Sequence, residues 1–210
     1  MHEVGPFRGL ITLLTVGVLA GLLVSTSDIF SRDRIAENDR RYLLRSLTQV
    51  VQPDDYDNDL AASQIQIASP ELSGNAEKTD VYVGTLQGQP SVFIFNVTAP
   101  DGYNGPIQLL VGITRGGTIT GVRAVSHRET PGLGDAIEVS RSNWILSFTG
   151  RGLDDPPPAG WAVRSDGGQF DQLTGATITP RAVVNALRNT LNYFQREREQ
   201  LIQAALAGEP

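Results

Sequence analysis

Three threonine hydroxyls lie within a short glycine-containing segment that precedes the last helix predicted from the sequence. Residues 171–180 read DQLTGATITP, with threonine at positions 174, 177 and 179. The free backbone N–H groups at a helix N-terminus, together with the helix dipole, favour the binding of a phosphate group. Helix capping is the alternative, in which the hydroxyls of Thr174 and Thr179 only bind backbone groups. From these residues alone, both interpretations stay open.

Composition limits the redox chemistry that this chain can perform by itself. The 210 residues include no cysteine and two histidines. Disulfides, thiolate metal sites, Fe–S clusters and cysteine nucleophiles are therefore excluded, and no metal ligands are predicted. A redox role would require an organic cofactor. The 23 acidic and 17 basic side chains give a net charge of −6, which argues against nucleic-acid binding, since that function usually requires a basic patch.

An uncharged apolar segment near the N-terminus predicts a membrane anchor. Residues 9–27 form a run of 19 residues without a charged side chain. A helix of this length is about 28 Å long, close to the thickness of the bilayer core. A cleaved signal peptide is a weaker alternative, because its apolar region is usually shorter and ends at a small-residue cleavage site, and a buried helix of a soluble domain is the weakest. Charge leaves the orientation open, since the arginines that follow alternate with acidic residues.

Hydrophobic periodicity in the remaining chain predicts one α+β domain. Residues 31–51 carry apolar side chains at helical spacing and are followed by Pro53, which predicts an amphipathic helix. Period-two alternation predicts four strands, at residues 81–85, 91–97, 107–114 and 119–125. The second of these strands is apolar on both faces and is therefore expected to be central. Residues 64–78 are polar and predict a loop or a weak strand.

The last predicted element is a long helix with an apolar stripe. Thr179 has the side chain of a good N-cap, and Pro180 suits the first helical position. Leucine, valine, isoleucine and phenylalanine then recur at helical spacing up to Ile202.

The segment around Thr177 resembles the flavinylation sequence of the FMN-binding domain family. The matching residues are Asp171-x-x-Thr174-Gly175-Ala176-Thr177. In that family a flavin transferase joins FMN through its phosphate to the last threonine of the motif, which is Thr177 here. The longer run over residues 166–184 is similar to the G-subunit family of Rnf/Rsx electron transport complexes.

Further segments share this resemblance, which covers nearly the whole chain and is weakest over residues 61–80. Residues 127–135 read HRETPGLGD and resemble the flavin-contacting loop of the family. Trp144 and Phe148 match the aromatic pair that follows this loop. The segments GYNGPI at residues 102–107 and YDNDL at residues 56–60, with the N-terminal span, are also similar to the G-subunit family.

The resemblance implies a set of FMN-binding residues and no catalytic side chains. The glycines let the backbone approach the cofactor, Leu133 can cover the ring, and the N–H groups before Pro180 can bind the remaining charge of the phosphodiester. The implied set is Thr177, as the site of covalent FMN, with Thr174, Gly175, Ala176, Thr179, Glu129, Thr130, Gly132, Leu133 and Gly134.

Four nearby side chains keep more than one interpretation each. His127 either tunes the flavin or forms hydrogen bonds at a strand end. Glu129 either staples the loop or neighbours the flavin, and Trp144 is either a core residue or a ring contact. Asp171 either orients its loop or assists the transferase, or it contacts the finished cofactor, which is the weaker interpretation.

The resemblance also implies the architecture and the function. We expect a tail at residues 1–8, a transmembrane anchor at 9–27, a linking helix and acidic loop region at 28–79, and an FMN-binding domain at 80–207, with an antiparallel sheet and flanking helices. The chain would transfer electrons within an ion-translocating oxidoreductase complex, without independent turnover. Its partners would be the other Rnf/Rsx subunits, a flavin transferase and the inner membrane, with the soluble domain on the periplasmic side.

Two alternative functions stay open at this point. The C subunit of the sodium-translocating NADH–quinone reductase shares the flavinylation motif, although the sequence of residues 166–184 and the modest chain length favour the G-subunit family. The chain could also be an anchored flavin-binding module without an obligatory electron relay.

Overall fold

The computed structural model describes residues 6–74 and 78–207. The chain divides into two compact units, Met1–Leu43 and Leu44–Pro210. Helix α1 spans Pro6–Leu47 and includes the residues predicted to form the anchor. Several leucine and valine side chains in the first part of this helix, including Leu13, Leu14 and Leu19, are exposed.

No helix among the described residues is both long enough and apolar enough to cross a membrane. The transmembrane anchor at residues 9–27 stays a prediction.

A five-stranded antiparallel sheet forms the frame of the second unit, with its strands in chain order. The four predicted strands are confirmed, and the weakly predicted segment before them supplies an edge strand. The strands are β1 (Gln64–Ala68), β2 (Lys78–Leu86), β3 (Gln89–Ala99), β4 (Ile107–Thr114) and β5 (Ile119–Ser126). Short helix α2 (Pro70–Ser73) connects β1 to β2.

Helix α3, Ile178–Ala207, covers one face of the sheet. Phe194 of this helix contacts two rings of β3, with centroid distances of 5.3 Å to Phe93 and 6.2 Å to Phe95. Ile94 points to the opposite face and is also fully buried. The prediction of a central strand that is apolar on both faces is therefore confirmed.

The chain that follows α1 covers part of the opposite face. The Thr120 hydroxyl of β5 donates a hydrogen bond to the Val50 carbonyl, with 2.5 Å between the oxygens. Gly112 and Gly121 lie beneath Val50, where a Cβ atom at either position would contact the Val50 backbone at 2.5 Å or 2.9 Å. Glycine is required at these strand positions because another part of the backbone approaches so closely.

Gly112→Ala tests this close approach. The added methyl group would collide with the Val50 carbonyl and the Thr120 hydroxyl, so we expect the free energy of unfolding to fall by about 2–3 kcal/mol. Urea denaturation of the full-length chain would measure the loss. Gly116→Ala is the control, because its nearest neighbour would be 3.6 Å away. Equal stability of the two variants would contradict the proposed contact.

Candidate functional site

A tight turn presents the residues that match the flavinylation motif. The Ala176 N–H group donates to the Leu173 carbonyl at 3.0 Å, which closes a four-residue turn. Gly175 occupies the third position with φ of +79°, a conformation that favours glycine. A Cβ at this position would also contact the Leu133 side chain at 2.8 Å. The turn therefore requires glycine for its backbone conformation and for its contact with the neighbouring loop.

Helix α3 begins immediately after this turn, at Ile178. The Arg181 N–H group donates to the Thr177 carbonyl at 3.3 Å, so Thr177 occupies the N-cap position. The prediction of Thr179 as the N-cap is wrong, because the helix starts two residues before Pro180. Ile178 and Thr179 carry N–H groups of the first turn that have no acceptor within the helix, which makes this end suitable for a phosphate.

Thr179 instead takes part in a buried hydrogen-bond network. Its hydroxyl donates to Glu129 Oε2 in a short bond, and the Asn104 N–H group donates to Glu129 Oε1 at 3.1 Å. Thr179 is fully buried and Glu129 is 4% exposed. This network joins the start of α3 to the segment after β5 and to the β3–β4 connection. The loop-stapling interpretation of Glu129 is thus supported.

The segment after β5 folds back on itself through backbone hydrogen bonds. The Thr130 carbonyl accepts from the N–H groups of Leu133 and Gly134, both at 3.1 Å. The Gly132 N–H group donates to Asp135 Oδ1 at 2.8 Å, and Gly132 adopts a φ of +79°. This arrangement leaves Leu133 41% exposed beside the turn that contains Gly175.

These segments enclose a cleft of about 450 Å³. Pockets that bind small molecules usually have a volume of about 300–1,000 Å³. Eight predicted site residues line the cleft: Glu129, Thr130, Leu133, Gly134, Gly175, Ala176, Thr177 and Thr179. Thr174 and Gly132 lie outside its lining, on exposed parts of their turns.

The cleft has two further lining residues that the sequence analysis did not identify, Tyr103 and Ile178. Tyr103 is 63% exposed although it carries a large aromatic ring. Its position in a glycine-containing connection between two strands was a usable signal, since loop aromatics often contact ligands. Ile178 is an exposed apolar residue at the first position of α3, and no sequence pattern distinguished it from its neighbours.

His127 lies outside the cleft lining and forms hydrogen bonds at the end of β5. The Glu129 N–H group donates to its Nδ1 at 3.2 Å, which assigns the proton of the neutral ring to Nε2. His127 Nε2 is 2.9 Å from Glu138 Oε1. Hydrogen bonds from the Ser140 hydroxyl and then from His127 hold the pKa of the Glu138 carboxyl below its usual range. The geometry favours the strand-end interpretation of His127.

Ion pairs lie at the two ends of the motif segment. Asp171 pairs with Arg164, with 3.0 Å between Oδ1 and Nε. Arg181 in α3 donates two hydrogen bonds to Asp166, at 2.5 Å and 2.8 Å. These bonds hold the pKa of the Asp166 carboxyl below its usual range. Asp171 points to Arg164 and does not line the cleft, which favours a role in orienting the loop.

The cleft offers two chemically different regions to a cofactor. The N-terminus of α3, with the Thr177 hydroxyl beside it, suits a phosphate. Tyr103, Leu133 and Ile178 offer apolar surface to an aromatic ring, and the backbone of residues 130–134 offers polar groups. Among residues 6–74 and 78–207, His, Asp and Glu side chains form no group of three or more that could hold a metal ion.

The cleft lies within a part of the chain that matches a known family. The FMN-binding domain family matches residues 102–192, a range that contains every residue of the lining. The G subunit of the ion-translocating oxidoreductase complex of Pseudomonas aeruginosa is 48% identical over 194 residues, covering 92% of this chain and 88% of the relative. The chain belongs to this G-subunit family. Proteins of the same name from Vibrio parahaemolyticus and Vibrio cholerae are 43% and 42% identical, over 88% and 92% of this chain and 87% and 92% of each relative.

Membership of this family and the match to the FMN-binding domain identify FMN as the cofactor. The question is then whether the cleft can bind FMN. The residues present fit that cofactor, because a helix end suited to a phosphate and an apolar wall lie in one cleft. Covalent attachment is a further question, which depends on the environment of each threonine.

Replacement of Glu129 tests the network that shapes the cleft. Glu129→Ala would leave the buried Thr179 hydroxyl without a partner and create a cavity, so we expect a loss of about 2–4 kcal/mol in the free energy of unfolding. Glu129→Gln keeps the shape and can keep both hydrogen bonds, so about 1 kcal/mol or less is expected. Urea denaturation would measure both. A small and equal loss in the two variants would exclude a stapling role.

Proposed function

We propose that this chain is an electron-transfer subunit of a membrane-bound ion-translocating oxidoreductase complex and carries FMN attached through its phosphate to Thr177. The observation that carries the proposal is the position of Thr177. Its side chain is half-buried, lines the cleft and belongs to the N-cap residue of α3. A phosphate on this hydroxyl would lie beside the positive end of the helix dipole.

The environments of the three threonines support Thr177 over its neighbours. The Thr179 hydroxyl is committed to Glu129 and is fully buried. Thr174 is exposed on the turn, outside the lining of the cleft. The Thr177 hydroxyl makes one long hydrogen bond, at 3.4 Å, to Gln172 Oε1. The Thr177 hydroxyl is therefore accessible to a flavin transferase and also lies in the lining of the cleft.

Attachment requires an activated donor and an external enzyme. Joining a hydroxyl to a free phosphate would release water, which is unfavourable in aqueous solution, so the donor must be a phosphoanhydride of FMN. A bond forms between Thr177 Oγ1 and the FMN phosphorus, and the phosphoanhydride bond to the leaving phosphate group breaks. The hydroxyl proton passes to a base of the flavin transferase. This linkage leaves the flavin ring chemically unchanged.

The cofactor supplies the redox chemistry, while this chain supplies binding and environment. Leu133, Tyr103 and Ile178 can limit access of water to the ring, and the backbone around Thr130 can donate and accept hydrogen bonds. The relatives are named as the G subunit of a complex, which supports other subunits of such a complex as partners. Their names also favour this family over the C subunit of the sodium-translocating enzyme.

We place the chain in the inner membrane, anchored by residues 9–27, with its flavin domain on the periplasmic side. The uncharged sequence of these residues supports the anchor. Exposed apolar side chains on the same helix, such as Leu13 and Leu14, are also better solvated by lipid than by water. The periplasmic orientation is the one that the resemblance to the G-subunit family implies. The flanking arginines do not oppose it, because large domains cross the membrane largely regardless of flanking charge.

Thr177→Ala tests the attachment site. We expect complete loss of covalent flavin, measured by in-gel fluorescence and by the mass of the peptide that contains residue 177. Stability should change by less than about 0.5 kcal/mol, because the hydroxyl makes only a long hydrogen bond at a partly exposed site. Thr177→Ser is the matched control, since it restores the hydroxyl and should restore the flavin. Covalent flavin that persists in Thr177→Ala would disprove the assignment.

Single cysteines test the topology, because the natural chain has none. Ala159 is exposed in the second unit, so Ala159→Cys should react with a membrane-impermeant maleimide in spheroplasts. His2→Cys, before the proposed anchor, should react only after lysis. The reverse pattern would place the flavin domain in the cytoplasm.

A further inference from the structure

We propose that Trp144 is a positioning residue for the flavinylation of Thr177. Its indole N–H group holds the backbone of the first residue of the flavinylation loop, which we define as residues 171–177. This inference rests on the proposed function, because it concerns how the loop is presented to the transferase. Trp144 does not line the cleft, so its role differs from that of a flavin contact.

The hydrogen bond that defines this role is short and directed. Trp144 Nε1 donates to the Asp171 carbonyl at 2.8 Å. The indole ring is itself fixed, because it packs edge-to-face against Phe148 with 5.1 Å between centroids and an interplanar angle of 82°. A donor that is already held in place loses little conformational entropy when it binds its acceptor. Trp144 is therefore well suited to fix the position of the Asp171 carbonyl.

The residue before the loop is anchored in the same aromatic cluster. Phe170 is buried and contacts Phe148, with 4.6 Å between ring centroids, and Trp161, at 5.0 Å. The loop thus leaves a packed cluster of four aromatic rings: Trp144, Phe148, Trp161 and Phe170. The Trp144 hydrogen bond extends this fixed region by one residue, from Phe170 to Asp171.

The other restraint on Asp171 is weaker. Its carboxylate pairs with Arg164, but both side chains are more than 60% exposed, at 64% and 66%. Exposed ion pairs of this kind contribute little to stability and are screened by salt. Of the two contacts that Asp171 itself makes, the hydrogen bond from Trp144 is therefore the stronger restraint.

The middle of the loop is an exposed turn. Gln172, Thr174 and Gly175 are exposed, while Leu173 is buried, and the hydrogen bond from Ala176 to the Leu173 carbonyl closes the turn. An exposed turn that is held at both ends can enter the active site of another enzyme without unfolding of the domain. Loss of the Trp144 hydrogen bond would free the Asp171 end of the loop. The fraction of molecules whose loop has the conformation that the flavin transferase binds would then fall.

Steady-state kinetics of flavin transfer can test this role. The full-length chain in detergent would be the substrate, with a purified flavin transferase and flavin adenine dinucleotide as the phosphoanhydride donor. Trp144→Phe keeps an aromatic ring and removes the N–H group. We expect its KM to rise about three- to tenfold with little change in kcat, because a smaller competent fraction weakens apparent binding by the same factor.

The chain offers a matched control in its other tryptophan. Trp161 belongs to the same aromatic cluster, and its Nε1 donates to the Gly152 carbonyl at 3.1 Å, away from the loop. Trp161→Phe should therefore lower the thermal stability without raising the KM. All reactions would be run at a temperature at which circular dichroism shows each variant folded.

Hydrogen exchange supplies a second readout that needs no flavin. In the unmodified chain, Trp144→Phe should accelerate exchange of the loop amides, while amides of the central strand β3 keep the rate of the wild type. A purely structural role for Trp144 would instead change global stability and leave the KM unaltered.

The outcomes separate this inference from the proposed function. If the wild type is flavinylated and Trp144→Phe matches it in both KM and loop exchange, the positioning role is overturned while the proposed function stands. If the wild type takes up no covalent flavin, the proposed function fails and this inference fails with it. A rise in KM equal to that of Trp161→Phe would also overturn the positioning role.

Discussion

The cleft depends on one buried side chain, that of Glu129, which joins three segments that are distant in sequence. Its carboxyl oxygens accept hydrogen bonds from Asn104, in the β3–β4 connection, and from Thr179, in the first turn of α3. Burial makes these bonds important, because a buried polar group without a partner is costly. Gly102 and Gly134 permit the contact, since a Cβ at either position would lie 3.0 Å or less from a Glu129 oxygen.

The order of the strands explains why these segments meet. In an antiparallel sheet whose strands follow chain order, β3 and β5 run in the same direction and finish at the same end of the sheet. The β3–β4 connection and the segment after β5 therefore emerge side by side, and α3 packs on β3 through Phe194. The opposite face of the sheet is occupied near Gly112 and Gly121 by the backbone of Val50. The cleft thus lies at one end of the sheet, while packing on the two faces of the sheet stabilises the domain.

Three threonines of one motif have the same hydroxyl chemistry and three different environments. Thr174 is exposed on the turn, Thr177 is half-buried at the N-cap position, and Thr179 is buried against Glu129. These differences follow from the residue at which α3 begins. A helix start two residues later would put Thr179, instead of Thr177, at the N-cap position. The position of the helix start therefore governs which hydroxyl faces both the cleft and the solvent.

Local pattern predicted much of this molecule from the sequence alone. Alternating residues located β2 to β5, the apolar faces of β3 identified a central strand, and the motif ending in Thr177 identified a segment that lines the cleft. The sequence did not reveal the buried partner of Thr179, the place of Tyr103 in the cleft, or the bond from Trp144 to the Asp171 carbonyl. Periodicity and motifs report short-range preferences, whereas each of these features joins residues far apart in the chain, so only the tertiary structure decides them.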